Sequence, residues 1–142
     1  MDFRIRAVGV DDAEALRTLI AAMGYDVGAE ELRGRLETLP AGDAVFVAES
    51  GGAGLGWVHA LVTHSLIVGP RVEIAGLSIV PRAQGHGVGS ALLAAAEGWA
   101  VRQGVRTVYL RSGMERHEAH AFYLARGYTA VKTQLALTKR LT

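Results

Sequence analysis

The sequence predicts one mixed α/β domain over residues 1–142, and three observations lead to this prediction. Short apolar runs typical of strands alternate with segments that have helical periodicity. Turns that contain glycine or proline separate several of these segments. No linker, repeat or low-complexity tract interrupts the chain, and its length suits one compact domain.

The N-terminal segments predict a strand followed by two helices. The alternation from Phe3 to Val8 is typical of a strand with one solvent-facing side, and Asp11 or Asp12 suits the N-cap of the next helix. Apolar stripes mark both helices. The second helix is expected to stop at Pro40. Gly34 inside it makes this second helix a weaker prediction, because glycine has a low helix propensity. The stripe residues are Leu16, Leu19, Ile20 and Met23, then Leu32, Leu36 and Leu39.

The remaining segments predict four or more strands and two helices. Strands are expected at Ala44–Glu49, Leu55–Thr63, Arg71–Val80 and Arg106–Arg111, with Ser50–Gly54 as a hairpin turn between the first two. Helices are expected at Val88–Gln103, ending near Gly104, and at Glu115–Arg126, ending at Gly127. The segment from Tyr128 to Leu141 is expected to form one long strand or two short ones.

Composition excludes several functional classes. The net charge of +1 gives no field that would attract nucleic acid. No apolar run approaches the roughly 20 residues of a membrane span, so no membrane partner is expected. The absence of cysteine excludes disulfides and thiolate metal sites and fits a cytoplasmic location. The histidines have no convincing metal-ligand spacing, so no metal is expected.

A glycine loop joins a predicted strand to a predicted helix. Gly85, Gly87 and Gly89 alternate along it, directly before the helix that begins near Val88. Glycine lets a ligand approach the main chain, and the first N–H groups of a helix favour an anion. The loop therefore indicates main-chain binding of a phosphate-bearing cofactor. It has neither the Gly-x-Gly-x-x-Gly spacing of a dinucleotide site nor the Gly-Lys-Ser/Thr ending of a nucleotide P-loop.

Two motifs give the chain a resemblance to the GNAT family of N-acetyltransferases. Gln84 to Gly89, after a strand that ends Val80-Pro81, resembles the family's Gln/Arg-x-x-Gly-x-Gly/Ala signature for acetyl-coenzyme A. Arg116 to Tyr128 resembles its Asn-x-x-Ala-x-x-Phe-Tyr-x-x-x-Gly-Phe/Tyr helix, with arginine in place of asparagine. The resemblance implies a central mixed, mostly antiparallel sheet of six to seven strands, splayed in the middle and flanked by about four helices.

The resemblance also implies how acetyl-CoA binds. The pantetheine arm would pair as a pseudo-strand with the backbone of Leu77 and Ile79, and an N–H near Leu77 or Ser78 would polarise the thioester carbonyl. Arg116 would reach a phosphate or close the substrate pocket. The pyrophosphate would be held by the loop residues Gln84, Gly85, His86, Gly87, Val88, Gly89 and Ser90.

Proton transfer in this family implies an acid and a base. Tyr123 stands at the family's tyrosine position and is the candidate acid for the leaving thiolate, although a packed aromatic side chain is the alternative. Glu73, between Val72 and Ile74, is the first candidate base, and an exposed ion-paired carboxylate is the alternative. His59, His64, His117 and His120 remain further candidates for the base.

The acceptor site is expected among the early helices and middle strands, with Tyr25, Asp26, Trp57 and His59 as lining residues. The early helices have no dense acidic patch, which argues against aminoglycosides and polyamines as acceptors. The sequence thus favours acetyl transfer to a primary amine of a small molecule or peptide. A non-catalytic acyl-CoA-binding module, another acyl-CoA, a hydroxyl acceptor and a nucleotide-binding regulator stay open as alternatives, as does a homodimer.

Overall fold

The computed structural model describes residues 1–142 and divides into two compact units, Met1–Leu110 and Arg111–Thr142. The first unit contains the whole β-sheet and three of the α-helices. The second unit contains one α-helix and a C-terminal tail. The helices are α1 (Ala13–Ala21), α2 (Ala29–Glu37), α3 (Val88–Arg102) and α4 (His117–Ala125). The four expected helices are therefore present. No helix has the length and apolar character that a membrane crossing requires.

The sheet of the first unit has five strands in the order β1-β2-β3-β4-β5. Neighbouring strands from β1 to β4 are antiparallel, whereas β5 runs parallel to β4, so the expected mixed and mostly antiparallel sheet is confirmed. Its strands are β1 (Arg4–Ala7), β2 (Asp43–Ser50), β3 (Ala53–Ser65), β4 (Gly69–Ile79) and β5 (Val108–Leu110).

Helices cover both faces of this sheet. Ala13 and Leu16 of α1 and Leu32 of α2 form a buried cluster with Val47 of β2, and Trp57 of β3 packs against it. Gly56, the residue before Trp57 on β3, faces the opposite side of the sheet because side chains alternate along a strand. There a Cβ on Gly56 would lie 3.1 Å from Leu92 of α3, so α3 covers the opposite face.

The predicted number of six to seven strands is wrong, because residues 129–142 form neither a strand nor a helix. The apolar side chains of this tail are 81–88% exposed: Val131, Leu135, Leu137 and Leu141. The pattern that favoured a strand describes only how side chains alternate. A strand also needs a neighbouring backbone for its N–H and C=O groups, and a local sequence pattern does not supply one.

Candidate active site

One edge of β4 is only partly paired. This strand pairs with β3 along its length but with β5 only from Val72 to Ile74. From Ala75 to Ile79 the edge away from β3 has no partner strand in the sheet. Leu77, Ser78 and Ile79 lie in this half-buried stretch. Unpaired N–H and C=O groups on a strand edge can bind an extended chain such as a pantetheine arm.

A β-bulge lies at the point where this partner-free edge begins. Gly76 is opposite His59 and Ile74 is opposite Ala60, so Ala75 is an extra residue on β4. A bulge bends its strand and locally increases the twist. The bend therefore occurs where the pairing of β4 with β5 ends, at Ile74 and Leu110.

The glycine loop follows β4 after a short 3₁₀ turn at Pro81–Ala83. Gly85 and Gly87 have φ angles of 79° and 83°, in the left-handed region that favours glycine. Gly87 is the N-cap of α3, and no side chain caps this helix. The first N–H groups of α3 therefore remain for a ligand.

The surface of this loop is exposed to solvent, which leaves room for such a ligand. Gln84 to Gly87 are exposed, whereas Val88 and Gly89 are buried and anchor the first turn of α3. A Cβ added to Gly85 or Gly87 would meet no atom within 4 Å. The glycines are thus required here by backbone conformation and not by contacts within the protein.

Glu73 belongs to a row of residues across four strands. Asp43 of β2 is opposite Leu61 of β3, which is opposite Glu73 of β4, which is opposite Tyr109 of β5. Directly opposed residues project from the same sheet face. The half-buried Glu73 side chain therefore shares a face with Asp43 and Tyr109.

The four expected acceptor residues differ in their surroundings, and Asp26 is exposed in the segment between α1 and α2. Tyr25, just after α1, is 62% exposed. Trp57 packs against the cluster formed by α1, α2 and β2, and its buried indole Nε1–H has no hydrogen-bond partner. The Nε2–H of His59 donates to Oδ2 of Asp43 at 2.8 Å. Asp43 was missed in the sequence because only the register of β2 and β3 brings it to His59.

Tyr123 and Arg116 belong to the second unit. Tyr123 lies on α4, half-buried, with its ring edge-to-face against Phe122 and Tyr128. Burial raises the pKa of the Tyr123 phenol, and the nearby Arg116 charge lowers it by less. The phenol therefore stays protonated at neutral pH, as a proton donor must. Arg116 is the N-cap residue of α4.

The other candidate histidines are not equivalent. His64 lies exposed near the end of β3, and His117 is exposed at the start of α4. The Nε2–H of His120 donates to the carbonyl of Gly113 at 2.8 Å, which ties the turn before α4 to the helix. This bond gives His120 a structural role in the second unit.

Part of this chain is similar in sequence to a known N-acetyltransferase. A segment of 56 residues, 39% of this chain, is 41% identical to an aminoalkylphosphonate N-acetyltransferase of Salmonella typhimurium and covers 36% of that relative. The chain thus matches about a third of that relative's length.

Two solved acetyltransferases share the fold over nearly the whole chain. The aminoglycoside N-acetyltransferase AAC(6')-Iy, in complex with a coenzyme A bisubstrate analogue, has a TM-score of 0.87 at 21% identity, covering 99% of this chain and 100% of its own. The 6'-N-acetyltransferase AAC(6')-Ih from Acinetobacter baumannii has a TM-score of 0.85 at 14% identity, with the same coverage.

A family profile gives the assignment. The profile of the Acetyltransferase (GNAT) family matches residues 13–128, which include the bulged β4, the glycine loop and the helix that carries Tyr123. This match spans most of the chain, so the protein belongs to the GNAT acetyltransferase family.

Proposed function

We propose that this protein is an acetyl-CoA-dependent N-acetyltransferase that acts on a primary amine of a small molecule or peptide. The observation that carries the proposal is the continuity of three features in one segment. The partner-free edge of β4 leads through a short turn into the glycine loop, and the loop leads into the uncapped N-terminus of α3. The order matches the parts of acetyl-CoA, an amide-containing arm followed by a pyrophosphate.

The residues present fit this cosubstrate. Backbone groups of Leu77 and Ile79 are proposed to pair with the arm, and an N–H near Leu77 or Ser78 to polarise the thioester carbonyl. The positive φ of Gly85 and Gly87 holds the loop open for main-chain contact with the pyrophosphate. Bound acetyl-CoA supplies the activated acetyl group.

The remaining chemistry is proton transfer by side chains. An alkylamine with a pKa of about 10.4, like that of lysine, is protonated at neutral pH and must lose a proton before it can attack. Glu73 is the proposed base, because it lies half-buried on the strand that carries the cofactor contacts. Tyr123 is the proposed acid for the departing sulfur, and its raised pKa keeps it protonated.

The relatives support an amine acceptor. The names of the similar proteins include an aminoalkylphosphonate N-acetyltransferase and aminoglycoside N-acetyltransferases. Their acceptors differ in charge and size but share the amino group. We therefore propose an amine as the acceptor.

A screen of amines with thiol detection tests the proposal. The protein is incubated with acetyl-CoA and a panel of primary amines, with matched alcohols and longer acyl-CoA donors in parallel. Release of free thiol that depends on an amine is the expected result. Coenzyme A binding by calorimetry without turnover on any acceptor would instead indicate a non-catalytic acyl-CoA-binding module. Lack of binding would contradict the site itself.

A second copy of the chain is the proposed protein partner, and the cytoplasm the proposed location. The tail from 129 to 142 exposes Val131, Leu135, Leu137 and Leu141, which all lie an even number of residues apart. Contiguous exposed apolar residues are typical of interaction sites, and an extended segment can add to a sheet edge. Deletion of residues 129–142 should convert a dimer into a monomer in sedimentation analysis. A monomeric full-length protein would contradict this assembly.

A further inference from the structure

Asp43 differs from two carboxylates of similar burial in the same unit. The side chains of Asp12, Glu49 and Asp43 are 15%, 15% and 16% exposed. Asp12 and Glu49 each contact the guanidinium of Arg6. Asp43 contacts no arginine or lysine, and its partner is the Nε2–H of His59 at 2.8 Å. Asp43 is therefore a mostly buried carboxylate whose partner is an imidazole, whereas the other two carboxylates contact a guanidinium.

The Asp43–His59 pair presents acceptor atoms to a ligand. A carboxylate can only accept, so the bond between them assigns the proton to Nε2 of His59. This bond uses neither the other ring nitrogen of His59, Nδ1, nor the second carboxylate oxygen of Asp43, Oδ1. A carboxylate shielded from water is stabilised by a cation or by N–H and O–H donors. The chemistry of the pair fits an ammonium group.

The pair lies beside the proposed acetyl-transfer strand. His59 is directly opposite Gly76, next to the β4 bulge, and Asp43 is in the row that contains Leu61 and Glu73. Gly76 has no side chain, and the space that a Cβ there would need is filled by the indole of Trp57. Neighbouring strands are about 4.8 Å apart, so β3 and β2 lie roughly 5 and 10 Å from β4. A group bound by the pair is thus about one to two strand spacings from the reacting nitrogen.

We propose that Asp43 and His59 bind a second ammonium group of the acceptor, so that the enzyme selects diamines over monoamines. The inference rests on the proposed function because it concerns the acceptor side of the same site. Asp43 supplies the charge that the second ammonium contacts, and His59 orients that carboxylate through its Nε2–H bond. Glu73 is the proposed base for the nitrogen that is acetylated. Asp43 on β2 thus provides an acidic side chain for the acceptor, whereas the early helices have no dense acidic patch.

The first test compares two probes of equal length, pentane-1,5-diamine and pentylamine. The wild-type KM should be roughly 10- to 100-fold lower for the diamine, the effect of a hydrogen bond to a charged group, with similar kcat values. Asp43→Asn and His59→Gln should remove most of this preference without changing the KM for acetyl-CoA. His64→Gln, which alters an exposed histidine of the same strand, should retain it.

Several results would overturn the inference. A wild-type enzyme without a preference for the diamine contradicts it directly. If Asp43→Asn lowers kcat/KM for both probes by the same factor, the pair is structural. Thermal unfolding of each variant shows whether the fold persists, and a double variant that is no worse than Asp43→Asn indicates that the two residues act as one unit.

A binding experiment separates this inference from the proposed function. Pentane-1,5-diamine is titrated into the coenzyme A-saturated protein by calorimetry, which requires no turnover. Binding that Asp43→Asn abolishes, in a protein that releases no thiol with any amine, would support the pair as a diamine site and contradict the transferase. Thiol release with equal affinity for both probes would support the transferase and contradict the inference.

Discussion

The indole of Trp57 occupies the space that a side chain at Gly76 would need. A Cβ built on Gly76 would overlap the six-membered ring of the indole, whose Cη2, Cζ3 and Cζ2 are its nearest atoms. Gly76 is also the residue opposite His59 at the bulge of β4. The glycine therefore lets Trp57 of β3 reach across β4 beside the proposed site.

Gly76→Ala should destabilise the protein and disturb the bulge. The added methyl group forces a rigid ring or the strand to move, and such overpacking costs about 1–3 kcal/mol. Chemical denaturation measures the change. Trp57→Phe shortens the ring system, so the double variant should recover part of the loss. Gly34→Ala is the control, because its Cβ meets nothing within 4 Å on α2 and should stabilise by up to about 1 kcal/mol. A Gly76→Ala protein as stable as wild type would contradict the contact.

Asp12 should make the free energy of unfolding of the first unit depend on pH. Two guanidinium nitrogens of Arg6 donate to Asp12 at 2.7 and 2.8 Å, and these bonds lower the pKa of its carboxyl from its ordinary value. A lowered folded-state pKa stabilises the fold above the unfolded pKa, and the effect is lost as pH falls through the folded value. Asp12→Asn should therefore lower the free energy of unfolding by about 1–3 kcal/mol at pH 7 and by much less near pH 2. Equal losses at both pH values would contradict this ion pair.

Gly87→Asp should abolish coenzyme A binding without unfolding the protein. The carboxylate repels the pyrophosphate and the side chain fills the space above the loop. Gly52→Asp is a matched control, because Gly52 and Gly87 have the same φ of 83° and only Gly87 lies in the cofactor loop. Calorimetry should show an affinity at least about tenfold weaker, a change of 1.4 kcal/mol, for Gly87→Asp alone. Similar affinities for the two variants would exclude the loop as the binding site.

Local features of this chain are easier to predict from its sequence than contacts between its strands. Gly85 and Gly87 were identified because their spacing before a helix is visible in the chain, and their φ angles are positive. The extra residue Ala75 and the Asp43–His59 pair were missed. Both depend on the register between strands, and a shift of one residue would point each side chain to the other face. A pair separated by 16 residues has no local signal.

Glu73→Gln should remove the acidic limb of the pH–rate profile. Glutamine keeps the shape of the side chain in the row with Leu61 and Tyr109 but cannot accept the ammonium proton. Activity at neutral pH should fall roughly 10²–10⁴-fold, the usual range for general acid–base catalysis, while coenzyme A binding persists. The profile is measured as kcat/KM with one amine across pH. If the pH–rate profile of Glu73→Gln keeps the acidic limb of the wild type, Glu73 is not the base and has a structural role.

Tyr123→Phe should reduce kcat more than it reduces cofactor affinity. Burial raises the pKa of this phenol, so it holds its proton until negative charge develops on the departing sulfur. The substitution removes one oxygen and leaves the ring contacts with Phe122 and Tyr128, so the fold should persist. Because the proton is needed only as the transition state forms, kcat should fall roughly 10²–10⁴-fold.

The neighbouring tyrosine provides the control for this last prediction. Tyr128→Phe removes a hydroxyl from the ring that packs edge-to-face on Tyr123, with the centroids 5.8 Å apart. Steady-state turnover and a coenzyme A titration are measured for both variants with the same amine. Turnover of Tyr123→Phe within about threefold of wild type, far short of the general-acid range, would mean that water protonates the sulfur. A large loss in Tyr128→Phe alone would assign the proton donor to Tyr128, because each variant removes a single hydroxyl from one of two rings in contact.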